Sequence, residues 1–191
     1  MTVKANNNIM LPEFRVSYPN VFKPVNTATE GEPPKMEYTM EVLFAKDTDL
    51  SGLKKAIDEA IVKTWGPDKT KWPANLRKPL KDQGTKAKQS PHLVSGAAYF
   101  QMKSRQKPGL VDQKLNDIID PSEFYGGCYA RATVQVAAYN KPMSKGVSIW
   151  MQNIQKIRDG EAFSGRTKAQ EDFEPIAAAG EPDSVGGGLF D

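Results

Sequence analysis

The chain has 191 residues, enough for one packed domain with extensions and too few for two full ones. With 39% hydrophobic and 26% charged residues it has the makings of a globular core. No run approaches the ~18 consecutive apolar residues of a spanning helix, and the opening MTVKANNNIMLPEF lacks the basic-then-apolar order of a secretion signal, so a cytoplasmic protein with no membrane contact is expected. One cysteine, Cys128, and one histidine, His92, exclude an internal disulfide and a Cys/His zinc site, and no cofactor is expected.

The net charge of +3 hides an asymmetry. Six of the 23 acids lie from Glu171 onward, where there is no lysine or arginine, leaving 17 acids against 26 bases in residues 1–170, a charge of +9. A basic body with an acidic end predicts a polyanionic partner for the body and a separate role for the end.

In chain order, Phe14, Val16 and Tyr18 alternate with Arg15 and Ser17, predicting a strand. Pro19, Pro24 and residues 26–34 predict a loop. Over 37–46, Tyr38, Met40, Val42 and Phe44 share one face and Glu37, Thr39 and Glu41 the other, a half-buried strand. Asp49 or Ser51 caps a helix whose apolar positions Leu53, Ile57, Ile61 and Trp65 recur every four residues, stopped by Gly66-Pro67. Residues 63–92 are irregular and strongly basic, with Trp65 and Trp72 among the lysines, and predict a mobile arm. Strands follow at 96–105, 127–139 and 146–157. From about Glu171, acids, alanine and glycine predict a disordered tail, ending Leu189-Phe190-Asp191. The expected architecture is mainly β: an OB-fold-like β-barrel over 1–170 with one helix and a long basic loop, then a flexible acidic tail over 171–191.

The strand at 128–139 is the most informative. Cys128, Ala130, Ala132, Val134, Val136 and Ala138 form a small apolar face, suited to the inside of a tightly curved sheet. Tyr129, Arg131, Thr133, Gln135 and Tyr139 form the other. Rings around a guanidinium suit an unpaired polynucleotide, since aromatic faces accept any base and cations meet phosphate. Tyr99, Gln101, Lys103 and Arg105 repeat the pattern one strand earlier, and Ser148, Trp150, Gln152 and Lys156 repeat it on the last. Exposed tyrosines and threonines are also ordinary strand residues, and Trp150 also suits a core or dimer interface.

Two enzyme-like signals compete with this reading. Gly160 to Thr167, GEAFSGRT, nearly fits a phosphate-cradling loop but has arginine in the lysine place. Asp112, Asp117, Asp120 and Glu123 would form a magnesium site if they converged, but their setting reads as a connection between strands. A metal-dependent nuclease and a protein-interaction module remain the alternatives.

Nearly the whole body resembles the phage OB-fold single-stranded DNA-binding proteins, through FRVSYPNVFKP (14–24), LFAK (43–46), WG (65–66), YFQMKSR (99–105), GLVD (109–112), FYGGCYARATVQVAAYN (124–140), KGVSIWMQNIQKIRDGE (145–161) and GR with EDF (165–173). The resemblance implies an OB-fold core, sequence-tolerant binding of single-stranded DNA, and a homodimer. The tail resembles the acidic, aromatic-ending C-termini of replication single-strand binders, although its acids are sparse and Asp191 follows the aromatic residue. Phe190 and Asp191 are accordingly the expected contact for a replication or recombination protein. From the face pattern, not the resemblance, the expected DNA contacts are Trp72, Arg77, Lys78, Lys81, Tyr99, Lys103, Arg105, Tyr129, Arg131, Gln135, Tyr139, Trp150 and Lys156.

Overall fold

The structure is a computed structural model that describes residues 8–86 and 92–163. Its strands are β1 (Ile9–Met10), β2 (Phe14–Asn26), β3 (Met36–Leu43), β4 (Lys81–Asp82), β5 (Ala98–Ser104), β6 (Gly109–Val111), β7 (Tyr129–Lys141) and β8 (Ser144–Arg158). Among the described residues the one α-helix, α1 (Ser51–Trp65), lies between β3 and β4.

Five strands close a ring in the order β2-β3-β5-β8-β7 and back to β2. Every pairing in it is antiparallel except β5 with β8, which is parallel. That order, with a parallel closing pair, is the strand order of an OB-fold. Inside lie most of the residues the alternation assigned there, with Tyr38, Val136 and Ala138 only half-buried. Met40, Val42, Phe100, Met102, Cys128, Ala130, Ala132 and Val134 are all buried, with Ile149, Met151 and Ile154 facing them from β8. The alanines of β7 let the sheet curl tightly enough to close, because a larger side chain there would hold opposite walls apart.

α1 buries Leu53, Ile57 and Ile61 and packs against β7 and β8. The Asp49 carboxylate accepts from the Ser51 N–H at 2.9 Å, meeting one of the donors a helix start leaves open. Gly66, at φ 85°, ends the helix.

Several boundaries differ from expectation. β2 runs on to Asn26 through both prolines, because its pairing with β3 shifts register between Ser17 and Asn20 and again before Val25. Bulged positions need no donor from proline. Strict alternation along β2 puts Tyr18 on the side of the buried Phe14 and Val16, but its φ of 44° turns it outward and leaves it 73% exposed. β6 was missed, since three residues carry no period. The arm expected over 63–92 begins inside α1, and its residues 77–83 are docked on the sheet by the bonds described next.

Candidate nucleic-acid interface

β5 and β8 pair as strands only at Lys103 opposite Trp150, which leaves the ladder between them open along the rest of their length. An open gap between two strands leaves backbone donors and acceptors unpaired. Residues 77–83 fill it. Arg77 N–H donates to Lys145 O at 2.9 Å and Arg77 O accepts from Val147 N–H at 3.0 Å, while Lys81 and Asp82 pair with Tyr99 and Ala98 as β4. Gly146 permits the close approach of Arg77, since a Cβ there would meet the Arg77 carbonyl and the Tyr139 hydroxyl. Gln83, only 2% exposed, fastens the far end: its amide donates to Phe44 O at 2.8 Å and Ala98 O at 2.9 Å and accepts from Val94 N–H at 3.0 Å.

This docking builds a groove of about 710 Å³ on the outer face of the ring. Its cations, Arg77, Lys78, Lys81, Lys86 and Lys103, come from residues 77–86 and β5, and among the described residues Glu41 is the one carboxylate in its lining. Tyr99, Gln101, Tyr139 and Ser148 complete the polar wall. Five cations around one carboxylate make a site for a polyanion.

Two glutamates on the outer face of β3 organise these charges. Glu41 Oε1 lies 2.7 Å from Lys86 Nζ. The Lys86 pKa is raised, first by that hydrogen bond, against burial, with further support from the Glu41 charge and the Tyr99 and Tyr18 phenols. Glu37, 0% exposed, holds Lys35 at 2.9 Å and Lys103 at 3.7 Å and accepts from the Thr27 hydroxyl at 2.6 Å. Burial pushes the Glu37 pKa upward, but the Thr27 and Lys35 hydrogen bonds and the Lys103 and Lys35 charges outweigh it, and the net shift is downward. Lys103 is shifted down, chiefly by its own burial, with Glu37 opposing.

The description Enterobacter phage Enc34, ssDNA-binding protein, belongs to the family model that matches residues 7–185. The chain belongs to that family. A relative, the putative protein p50 of Acyrthosiphon pisum secondary endosymbiont phage 1, is 28% identical over 95% of this chain and 97% of its own length. Among solved structures, the single-stranded DNA-binding protein of bacteriophage Enc34 in complex with ssDNA superposes with TM-score 0.66 at 24% identity, covering 85% of this chain and 92% of that one. The gp2.5 single-stranded DNA binding protein of bacteriophage T7 gives 0.61 at 12% identity over 86% and 99%. Both share the fold.

In this member of the Enc34 family the groove gathers six of the expected contacts: Arg77, Lys78, Lys81, Tyr99, Lys103 and Tyr139. Trp150 adjoins it, with Lys103 Nζ 5.3 Å and Arg105 Cζ 5.8 Å from its ring centre. Tyr99 is buried, only 5% of the residue exposed, with Lys86 Nζ 5.0 Å from its ring centre. Gln135 sits opposite Trp150 and donates to Asn8 at 2.9 Å.

The others lie apart. The Trp72 indole donates to Gly66 O at 3.0 Å and packs on the core at the end of α1. Tyr129, Arg131 and Lys156 sit at the far end of β7 and β8, where Arg158 Cζ stands 3.4 Å from the Tyr129 ring centre, Arg131 holds Gln155 and Lys156 holds Asp159 at 2.7 Å. Here Arg15 donates to Gly127 O and Glu161 O and lies 4.4 Å from the Phe163 ring centre, tying the end of the described chain to β7.

Sequence reasoning missed Lys86 and Glu41 as members of this groove. The lysine run was a signal for Lys86, but nothing local pairs it with a residue 45 positions away. Asp112 and Asp120 do not converge with their neighbours as catalytic carboxylates: Asp112 accepts from Lys114 and Asn116 N–H and Asp120 from Ser122 N–H, each closing a turn. Among the described residues no cluster of three or more His, Cys, Asp or Glu side chains is placed to hold a metal. Residues 164–167 of the phosphate-loop-like stretch, and Phe190 and Asp191, lie outside the described residues.

Proposed function

We propose that this chain binds single-stranded DNA along the outer face of its ring without reading sequence. Family membership supports the reading, and the observation that carries it is the groove, in which a docked basic segment is placed beside Lys103, Tyr139 and Trp150. Arg77, Lys78, Lys81, Lys103 and Arg105 meet phosphates, and Tyr139 and Trp150 meet bases. A ring offers the same flat surface to all four bases, so stacking contributes about 1–3 kcal/mol per base regardless of letter.

Titrating dT oligomers while following tryptophan emission and molecular mass tests this, with duplex DNA and RNA as competitors. Saturable binding that weakens with salt, and that changes little between dT, dA and mixed oligomers, is the expected result. Emission and mass that ignore the oligomers at low salt would refute it.

The remaining assignments belong to the same proposal. Residues 1–170 form the binding unit, and the acidic segment 171–191 competes with DNA for the groove and, once displaced, offers Phe190 and Asp191 to a replication or recombination protein. Removing 175–191 should then tighten DNA binding. The protein acts as a homodimer in the host cytoplasm and needs no chemical step of its own.

A further inference from the structure

Tyr18 stands out on the outer face. It carries a large ring 73% exposed to solvent at a φ of 44°, a backbone conformation that aromatic residues seldom adopt. Were β2 to keep its alternation, Tyr18 would follow Phe14 and Val16 into the core and gain the burial that an exposed ring forgoes. Instead the chain bulges between Ser17 and Asn20, and Asn20 holds the bulge by donating to Thr39 Oγ1 at 3.1 Å. Strain combined with exposure is a net cost to folding, so the outward ring calls for a compensating role.

Its surroundings say which. Ser17 pairs with Glu41, which places the bulge beside the carboxylate in the groove lining, and Glu41 holds Lys86 at 2.7 Å. Lys86 lies across the Tyr99 ring, which is therefore closed to a base. Around Lys86, then, one tyrosine is covered and the other open.

We propose that Tyr18 is a base-stacking residue that extends the groove past Lys86 onto β2, and that it fills the place the sequence pattern gave to Tyr99. The inference rests on the single-stranded DNA reading above. Lys86 supplies the phosphate contact beside it, exchanging Glu41 for the incoming phosphate. The backbone strain then has a function: it presents the ring before DNA arrives, so little ordering cost remains at binding.

Substitutions at Tyr18 separate stacking from a structural role. In Tyr18→Gly the ring is lost while φ 44° becomes unstrained, so the melting temperature should hold or rise while affinity for a dT oligomer falls about five- to a hundredfold. Tyr18→Phe keeps the ring and should bind like the natural protein. With an oligomer carrying 5-iodouracil, photo-crosslinks should map to Tyr18 and not to Tyr99. If the natural protein binds the oligomer and Tyr18→Gly binds it equally well, or if crosslinks fall on Tyr99 alone, the inference is overturned while the DNA reading stands. A Tyr18→Gly protein with altered mass and unaltered DNA affinity would make Tyr18 a protein contact and overturn it as well. Failure of the natural protein to bind any single strand would instead remove the reading beneath it.

Discussion

Replacing Gln83 with leucine tests whether the groove depends on the docked segment. The side chain is buried, and leucine, somewhat larger and without polar atoms, removes all of its hydrogen bonds at once. Ala98 O keeps a bond from Phe44 N–H at 3.0 Å, and Val94, half exposed, can recover a bond to water at its N–H. Phe44 O is the group at stake, since Phe44 is buried and its carbonyl loses the 2.8 Å bond. A buried polar group left without a partner costs about 1–3 kcal/mol, and the weaker loss at the other two sites brings the total to about 2–3 kcal/mol. With a urea dependence of about 1–3 kcal/mol per molar, the midpoint of a urea melt should fall by about 1 M. The same variant, assayed where it is still folded, should bind dT oligomers more weakly, because β4 and Lys81 lose their anchor. A midpoint within about 0.2 M of the natural protein's, or weaker folding with unchanged DNA affinity, would show that Gln83 does not hold the groove together.

Other outcomes follow from the same geometry. Neutralising three groove cations together, as Arg77→Gln, Lys78→Gln and Lys81→Gln, should flatten the plot of log affinity against log salt by up to about 2, at about 0.7 per lost phosphate contact, as measured by fluorescence titration across a salt series. Gly146→Val places side-chain atoms against Arg77 O and the Tyr139 hydroxyl, so it should destabilise the fold by about 1–3 kcal/mol in thermal melts and weaken DNA binding with it. Glu37 has a pKa lowered from 4.5, so the stability it contributes is fully present above that value and is lost as pH falls through the lower folded value. The gap in melting temperature between the natural protein and Glu37→Gln should accordingly stay constant above about pH 5 and close below about 4.5, as read by scanning calorimetry at a series of pH values.

The ring interior was legible in the sequence because its cause is local. Met40 and Val42, Phe100 and Met102, and the alanines of β7 alternate with polar neighbours, and a period of two has one physical solution when only one face is buried. The helix was legible for the same reason, through Leu53, Ile57 and Ile61. The docked segment has no such signature. Its place is set by backbone bonds from Arg77 and Lys81 to strands that are neighbours only once the ring has closed, and backbone groups are alike in every residue. Its composition could announce the charge but not where the charge would sit. Glu37 was equally opaque: it reads as the solvent half of an alternating strand, yet it is buried because Lys35, Lys103 and Thr27 close over it.

Tyr18, like Glu37, is a place where a clear local pattern pointed the wrong way, and it lies on the outer face of the ring. The two departures have a common logic. Interior positions are chosen to satisfy the chain itself, so pattern and structure agree there. On the proposed reading, the surface that receives a polymer keeps groups for that polymer: a ring left in solvent at Tyr18, cations crowded at Arg77, Lys78 and Lys81, and lysines held by Glu37 and Glu41. In that reading each is unfavourable or neutral for the isolated fold and becomes favourable once phosphates and bases are present. Local rules therefore fail first where the partner, absent from the sequence, completes the set of interactions.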